Sequence, residues 1–128
     1  MIDDHDETRS IEDIKWSAGS TAVLAVVTKK NIFVASCGDS RCILVTFQNS
    51  EVLEIKSLTL EHKAVNQTEK ERIKKAGGKI EDSRVEGFLI VSRSLGVFRF
   101  KNNKTVSPEE QIVIAHPDVM TSERVTDA

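Results

Sequence analysis

The segment Ser17–Leu44 constrains the fold more than any other part of this 128-residue chain. It consists of apolar, largely β-branched runs that are too short for helices and that flank a four-residue turn, Gly38–Arg41. Runs of this kind predict two buried, hydrogen-bonded strands, one on each side of the turn. The turn would hold the carboxylate of Asp39 at the end of both strands, which makes Asp39 the first candidate for a functional residue.

Four consecutive strands are predicted in the first half of the chain, at Ser17–Thr28, Ile32–Cys37, Cys42–Phe47 and Glu51–Lys56. The first is apolar at nearly every position, as is typical of a strand that is covered on both faces, so we expect it at the centre of the sheet. The fourth alternates apolar residues with charges, which is typical of an edge strand. The short turns between the strands predict an antiparallel meander.

The second half of the chain predicts one short helix, within Val65–Gly78. Thr68 and Glu71 have the spacing of a capping box, and Gly77 stands where a left-handed residue would end the helix. Because apolar positions such as Ile73 are few, the helix must pack on the sheet. Further strands are predicted at Lys79–Glu81, Phe88–Ser92 and Gln111–Ala115, the last of them ended by Pro117. The predicted fold class is therefore α+β, with antiparallel β-sheets and one or two short helices.

The two ends of the chain differ in character. Residues 1–16 are polar and acidic and predict a tail, whereas residues 17–128 predict a single domain. The cluster Asp3–Glu7 combines carboxylates with the imidazole of His5, which is chemistry that could bind a divalent cation. Adjacent residues on an unstructured tail cannot hold converging ligand geometry, so we favour a solvated tail.

Composition argues against membranes and nucleic acids as partners. The longest apolar run, Ala22–Val27, is far below the roughly 20 residues that a membrane-spanning helix requires. The first ten residues carry charges where a secretion signal would be apolar. Net charge is −2, with Lys and Arg scattered, which gives nucleic-acid binding little support. Cys37 and Cys42 lack the companions of a zinc site or a disulfide framework, so we expect reduced cysteines and a cytoplasmic or nuclear location.

The common catalytic motifs are absent from the sequence. There is no Gly-x-Ser-x-Gly elbow, no phosphate loop ending in Gly-Lys-Ser/Thr, and no His-Glu-x-x-His. His5, His62 and His116 stand apart, and we interpret each as a surface or structural residue rather than a catalytic one. The sequence Gly38-Asp39-Ser40 superficially suggests an esterase nucleophile, but no partnered Asp-x-x-His follows it.

Several short motifs come in the same order as in one enzyme family. They are Gly19-Ser20-Thr21-Ala22, Gly38-Asp39-Ser40-Arg41, Leu58-Thr59 with His62-Lys63, Glu69-Lys70-Glu71-Arg72-Ile73 before Ala76-Gly77-Gly78, Arg84-Val85-x-Gly87, Val91-Ser92-Arg93-Ser94-Leu95-Gly96 and Pro117-Asp118-Val119. Together they resemble the metal-dependent serine/threonine protein phosphatases of type 2C. The resemblance covers about Ser17 to Thr126 and only the middle of that family's catalytic domain. It implies a β-sandwich of two antiparallel sheets flanked by helices, of which this chain would form a part.

The resemblance also shows which metal ligands are missing. Members of that family hold two Mn²⁺ or Mg²⁺ ions through an Asp-Gly-His segment, an Asp-Gly-x-x-Asp segment and a terminal Asp-Asn, and this sequence contains none of the three. Asp39 alone matches a metal position, and it resembles the ligand of an accessory third ion. Val97 stands where the family usually has Asp after Leu-Gly, and Glu61 where Asp usually precedes His-Lys. We therefore expect no cofactor in this chain, and Mn²⁺ or Mg²⁺ only if the family site were complete.

Asp39 has two interpretations, and both stay open. Gly-Asp is ordinary turn chemistry, because an Asp side chain can hydrogen-bond its own backbone. A weak or vestigial metal ligand is the alternative, since hard cations prefer carboxylates. Either way, one Asp cannot hold the two closely spaced cations that generate hydroxide at neutral pH.

Two functions from different classes follow. The first is a type 2C-like scaffold or interaction module, a trimmed domain or pseudophosphatase that is inactive by itself. The second is part of an active metal-dependent phosphatase that hydrolyses phosphoserine or phosphothreonine. The partner would be a phosphoprotein substrate or another protein.

A partial sandwich would leave strand edges and apolar sheet unpaired, which predicts a homodimer formed edge to edge or by swapping a segment such as Gln111–Ala115. Such a dimer should bury more than about 1,200 Å².

Overall fold

The computed structural model describes residues 10–124, which fold as an α+β structure of antiparallel sheets with two α-helices. The helices are α1, Ile11–Ser17, and α2, Gln67–Lys75. The strands are β1, Gly19–Ser20; β2, Ala22–Val27; β3, Asn31–Cys37; β4, Ile43–Gln48; β5, Glu51–Ser57; β6, Ile80–Glu81; β7, Arg84–Val85; β8, Leu95–Gly96; and β9, Asp118–Glu123. Two short 3₁₀ helices span Phe98–Phe100 and Pro108–Glu110. The predicted fold class is confirmed.

The largest sheet has three strands in the order β2-β3-β9, all antiparallel. The prediction that Ser17–Thr28 forms one central strand is wrong. Ser17 ends α1, β1 pairs separately with β8, and β2 lies at the edge of the sheet. An apolar run shows that a strand could be covered on both faces, but it does not determine which strands pair. In the described residues Leu24 of β2 is 64% exposed.

Strand β9 was not predicted. It pairs with β3 from Ser36↔Asp118 to Asn31↔Glu123, so β3 becomes the central strand. Pro117 precedes this strand instead of ending one, a position that costs no ladder hydrogen bond. The strand predicted at Gln111–Ala115 is also wrong. That segment is irregular, with Ile114 in a single bridge to Arg93, and Val113 and Ile114 are buried as part of a loop.

Strands β4 and β5 form a hairpin of their own, separate from the larger sheet. Asn49 and Ser50 adopt φ values of 51° and 66° at its two-residue turn, which is the conformation that matches the twist of such hairpins. The predicted meander of four strands is therefore wrong, although strands β3, β4 and β5 are confirmed near their predicted bounds. Gly38–Arg41 does not close a hairpin: it leads the chain from one sheet into the other.

Helix α2 begins two residues earlier than the sequence predicted. Asn66 is the N-cap residue, without a side-chain cap hydrogen bond, and Thr68 lies inside the first turn, so the predicted capping box is wrong. The C-terminus is as predicted, with Gly77 at φ 82°. Its N–H donates to the Lys74 carbonyl and the next N–H to the Ile73 carbonyl, which is a Schellman motif.

A tight turn redirects the chain after α2. Asp82 and Ser83 both have positive φ, so β7 folds back on β6. The predicted strand Lys79–Glu81 is thus present as the short β6, whereas the predicted strand Phe88–Ser92 is reduced to isolated bridges. Strand β6 pairs with β7, and Phe88–Ser92 does not pair with β6 as a strand.

Helix α1 lies inside the segment that the sequence predicted to be a polar tail. Ser10 caps it, because its hydroxyl accepts from the Asp13 N–H while the Asp13 carboxylate accepts from the Ser10 N–H. The helix packs through Trp16, whose ring meets Phe98 edge to face at a centroid distance of 6.4 Å. The first nine residues of the expected tail, which include the acidic cluster Asp3–Glu7, lie outside the described residues.

The core lies where α2 meets the loops that follow it. Its buried apolar side chains are those of Ala64, Ile73, Val85, Val97, Phe100 and Val113. The core therefore draws on the irregular second half of the chain more than on the larger sheet. Within residues 10–124, no helix is long and apolar enough to cross a membrane.

Candidate functional site at the Gly38–Arg41 turn

The turn Gly38–Arg41 is fixed at its first residue by His62. The Gly38 N–H donates to His62 Nδ1 at 3.0 Å, and the His62 N–H donates to the Gly38 carbonyl at 2.9 Å. Only glycine fits here, because φ is 112° and a Cβ would lie 2.3 Å from Thr21 Cγ2. The local sequence therefore dictates where the chain leaves β3.

The rest of the turn is held by neighbouring segments. Ser40 Oγ shares a 2.7 Å hydrogen bond with Thr21 Oγ1. The Arg41 guanidinium pairs with the Glu61 carboxylate, which also accepts from Lys63 at 2.7 Å. Hydrogen bonds from these two cations lower the pKa of Glu61. The Glu61 carboxylate therefore stabilises the turn through its ion pair with Arg41.

His62 is a buried structural residue with a defined tautomer. It is 3% exposed, and its Nδ1 accepts a backbone hydrogen bond, so the proton of the neutral ring must lie on Nε2. Nε2 donates to Asp118 Oδ2 at 3.0 Å. These contacts are those of a structural histidine, and the place of His62 against the turn was not predicted.

A chain of charged side chains continues from Asp118 into the protein. Asp118 Oδ1 accepts from Arg93 Nη1 at 2.8 Å, and Arg93 Nη2 donates to Glu69 Oε1 at 2.6 Å. Glu69 Oε2 accepts from Arg72 Nη1 at 2.7 Å and from Ser92 Oγ at 2.6 Å. We call the connected side chains of His62, Asp118, Arg93, Glu69, Arg72 and Ser92 the buried network.

Glu69 is the centre of the buried network. It is 2% exposed, and burial alone would raise the pKa of its carboxyl. Hydrogen bonds from Arg93, Ser92 and Arg72 outweigh that effect and lower the pKa to about 2. The carboxylate is thus ionised at neutral pH and is neutralised by two guanidinium groups.

Asp118 links the network to the turn. Burial tends to raise the pKa of its carboxyl, but the hydrogen bond from His62 and the charge of Arg93 lower it overall. Both oxygens of this carboxylate have a partner, and both partners are fixed elsewhere. Asp118 therefore transmits the position of strand β9 to His62 and, through it, to Gly38.

Asp39 lies half-buried in this supported turn. Among the hydrogen bonds and ion pairs found within residues 10–124, none involves its carboxylate. The backbone hydrogen bond expected of a structural Asp is therefore absent in the part of the chain that the structure describes. No residue of the described range binds this carboxylate, and the prediction that Asp39 binds a metal remains open.

The residues present do not fit the two-cation site that the resemblance implies. Across residues 10–124, no group of three or more His, Cys, Asp or Glu side chains is placed to hold a metal ion. The acidic groups that support the turn, Glu61, Glu69 and Asp118, are already neutralised by Arg or Lys side chains. No hydrolytic step through a metal can be assigned to these side chains.

Val97, which stands where the resembled family usually has Asp, is buried and strained. Its φ is 51° and ψ 50°, a left-handed conformation that β-branched residues rarely adopt. Its side chain is 5% exposed and belongs to the core cluster. The position has thus become part of the apolar core instead of offering a carboxylate.

Sequence reasoning missed the buried network. Glu69 and Arg72 lie three residues apart on one face of α2, a spacing typical of ion pairs, but nothing in the local pattern shows that the pair is buried. Arg93 and Asp118 are distant in sequence from α2. Their role becomes visible only when β9 and the loop after β7 come together.

Comparison with known proteins identifies close relatives. The family model described as protein phosphatase 2C matches residues 1–127. The probable protein phosphatase 2C 60 of Arabidopsis thaliana is 47% identical over 111 residues, which are 87% of this chain and 30% of that protein. The protein phosphatase 2C homolog 2 of Aspergillus fumigatus is 43% identical over 120 residues, covering 91% of this chain and 27% of that protein. The chain therefore spans less than a third of the length of either relative.

Solved structures give a matching result. A phosphatase from a pathogenic strain of Toxoplasma gondii is 39% identical with a TM-score of 0.64, over 71% of this chain and 27% of that one. The serine-threonine phosphatase 2C from Toxoplasma gondii has a TM-score of 0.70 over 89% of this chain and 40% of that one. At 24% identity, the second comparison shows similarity of fold alone.

Proposed function

Because this chain belongs to the protein phosphatase 2C family, we propose that its 128 residues are a phosphatase 2C-type domain segment that does not hydrolyse phosphate esters by itself and acts as a scaffold or interaction module. The donor set at the Gly38–Arg41 turn carries this proposal. Asp39 is the sole residue there that matches a metal position, and the described residues offer no cluster of three metal-binding groups.

The physical reason is the chemistry of two-cation hydrolysis. Several carboxylates must hold two cations a few Å apart before a bound water loses its proton near neutral pH. One carboxylate gives at most a weak, low-charge site. The other acidic side chains near the turn are paired with cations of the protein, and freeing them would leave buried guanidinium groups without a partner.

What the chain retains is a rigid support. The buried network ties β9, α2 and the segment before α2 to Gly38 through directional hydrogen bonds. Such a scaffold suits a binding surface whose partner is a phosphoprotein or another protein. We place it in the cytoplasm or nucleus, where Cys37 and Cys42 would stay as the free thiols that the structure has.

A second function is favoured by one observation. The turn that carries Asp39 is held at both ends, and its carboxylate is unpaired within residues 10–124. A supported but unoccupied carboxylate suits a cation site that other ligands complete. In this alternative the segment is part of an active metal-dependent phosphatase for phosphoserine and phosphothreonine, using Mn²⁺ or Mg²⁺.

Hydrolysis assays distinguish the two functions. The 128-residue chain is incubated with p-nitrophenyl phosphate or a phosphothreonine peptide, with Mn²⁺ or Mg²⁺ or with a chelator. The proposal predicts no metal-dependent rate above buffer. A metal-dependent rate that Asp39→Ala abolishes, and that the exposed-loop control Asp82→Ala leaves unchanged, would establish the active alternative.

A further inference from the structure

Strand β2 is an open, apolar sheet edge. It consists of Ala22–Val27, has no charged residue, and pairs with β3 on one side only. Its side chains are exposed on both faces of the sheet: Leu24 and Val26 on one, Val23 and Val27 on the other. A six-residue apolar edge without charge, proline or bulge is the kind that pairs with another strand.

The hydrogen bonds show which backbone groups of β2 face outward. Beyond the end of the strand, the Thr28 N–H donates to the Asn31 carbonyl, so this pair is hydrogen-bonded. Because hydrogen-bonded and non-hydrogen-bonded pairs alternate in an antiparallel ladder, residues 22, 24 and 26 point their backbone groups toward β3. The N–H and C=O groups of Val23, Ala25 and Val27 therefore point to the open edge.

The opposite side of β3 gives the same alternation independently. The Arg124 N–H donates to the Lys30 carbonyl, which places residues 32, 34 and 36 in hydrogen-bonded pairs with β9. Residues 33, 35 and 37 are left to bond β2, and they are the register partners of 26, 24 and 22. The assignment of outward groups on β2 thus rests on two separate hydrogen bonds.

The other strand edges of the described chain are blocked. Strand β9 carries Asp118 and Glu123, and β5 carries Glu51, Glu54 and Lys56. Strand β4 has no charge, but its ladder with β5 shifts register between Thr46 and Phe47, where Leu53 of β5 is an extra residue, and a bulge of this kind twists the hairpin and discourages further pairing. Among the described strands of six or more residues with a free edge, β2 is thus the one with neither a charge nor a register shift in its ladder.

We propose that β2 is a homodimer interface, in which it pairs antiparallel with β2 of a second copy about a two-fold axis at Ala25. Two identical edges form hydrogen-bonded pairs only between outward-facing residues, which allows an axis at any position from Val23 to Val27. An axis at Ala25 gives all three outward-facing residues of β2 a partner within the other strand, whereas every other axis leaves at least one of them without such a partner. Val23 then meets Val27 of the second copy, and Leu24 meets Val26, with roughly six backbone hydrogen bonds in total.

A second copy fits this edge because the strand is complementary to itself. The two-fold register places an apolar side chain opposite an apolar side chain at every position of β2. Beyond the strand, Lys29 and Lys30 face Thr21 and Ser20 of the other copy, so no like charges meet. The two three-stranded sheets become one six-stranded sheet with closed symmetry. The interface lies on the sheet edge and does not depend on whether the chain hydrolyses phosphate esters.

Light scattering of charge variants at the axis tests the interface. The wild-type chain is expected to have twice its 14.2 kDa mass from micromolar concentration upward. Ala25 is exposed in the monomer and would lie opposite Ala25 of the second copy in the dimer. Ala25→Lys and Ala25→Glu should each be monomeric, because two like charges would then meet at the axis. An equimolar mixture of the two should restore the dimer, since opposite charges then meet at the axis. The restored dimer also shows that both variants fold.

A matched control uses an exposed apolar residue on another strand. Leu53 of β5 is 64% exposed, as Leu24 is, and Leu53→Lys should remain dimeric. A monomeric wild-type chain at micromolar concentration would overturn the proposal. So would Ala25 variants that stay dimeric alone, or a mixture that stays monomeric.

Discussion

Glu69→Gln probes the buried network with the smallest change of shape. The substitution removes one negative charge and keeps the side-chain volume. It removes the anion of the buried Arg72 guanidinium, which is 13% exposed, and leaves Arg93, which is 12% exposed, with Asp118 as its remaining anion. Buried cations that lose their partner are strongly destabilising, because desolvation is no longer offset by the ion pair.

The pKa of Glu69 gives the magnitude. The network lowers it from 4.5 to about 2, and each pKa unit corresponds to about 1.4 kcal/mol of differential stability. The ionised carboxylate therefore contributes roughly 3 kcal/mol to folding, which agrees with the range of about 3–5 kcal/mol for breaking a buried pair. At pH 7 we expect Glu69→Gln to lower the free energy of unfolding by that amount.

The effect should depend on pH in a predictable direction. A carboxyl whose pKa is lowered by folding stabilises the protein above its unfolded pKa, and this stabilisation is lost as pH falls toward the folded value. The contribution of Glu69 is thus complete above about pH 5 and disappears between about pH 5 and pH 2. The difference between wild type and Glu69→Gln should shrink over that window, because protonated Glu and Gln are similar.

Urea unfolding followed by far-UV circular dichroism between pH 7 and pH 3 measures this difference. The control is Glu110→Gln, which removes an ion pair with Lys75 in which the Lys side chain is 77% exposed. Solvent screens such an exposed pair, so this variant should unfold like wild type across the pH range. If Glu69→Gln unfolds like wild type at pH 7, or if its stability falls in parallel with wild type down to pH 3, the assigned role of the buried network is wrong.

Two glycine substitutions test the backbone conformations. Gly77→Ala should cost about 1 kcal/mol in urea unfolding, because φ is 82° and a Cβ there meets no atom within 4 Å, so only backbone strain is added. Thr68→Ala is its control and should change stability by less than about 0.5 kcal/mol, since Thr68 is not the N-cap residue. An N-cap-sized loss at Thr68 would show that α2 begins later. Gly38→Ala should cost more than Gly77→Ala, because its Cβ would also overlap the Thr21 side chain; equal losses would contradict the fixed turn.

The sequence predicts local features of this fold well. Strands β3, β4 and β5 are found near their predicted bounds because each is a short apolar run bounded by polar turn residues. Gly77 ends α2 as predicted, since a left-handed position favours glycine. The family follows from motifs whose order is specific, and the family match over residues 1–127 confirms it.

Long-range pairing could not be predicted from the same patterns. The apolar run of β2 is equally suited to the centre and to the edge of a sheet, and its position depends on β9, which is about 90 residues away along the chain. The buried network has the same origin. Glu69 and Asp118 read as surface acids in a polar context, and only the folded chain brings Arg93 between them.

A calorimetric titration with Mn²⁺ measures whether this chain lacks a two-cation site. We expect at most one site, with affinity in the millimolar range as for low-charge sites, and its loss in the isosteric variant Asp39→Asn. Asp82→Asn, in an exposed turn, should titrate like wild type. Two Mn²⁺ ions bound per chain with micromolar affinity would contradict the claim, because residues 10–124 contain no cluster that could hold them.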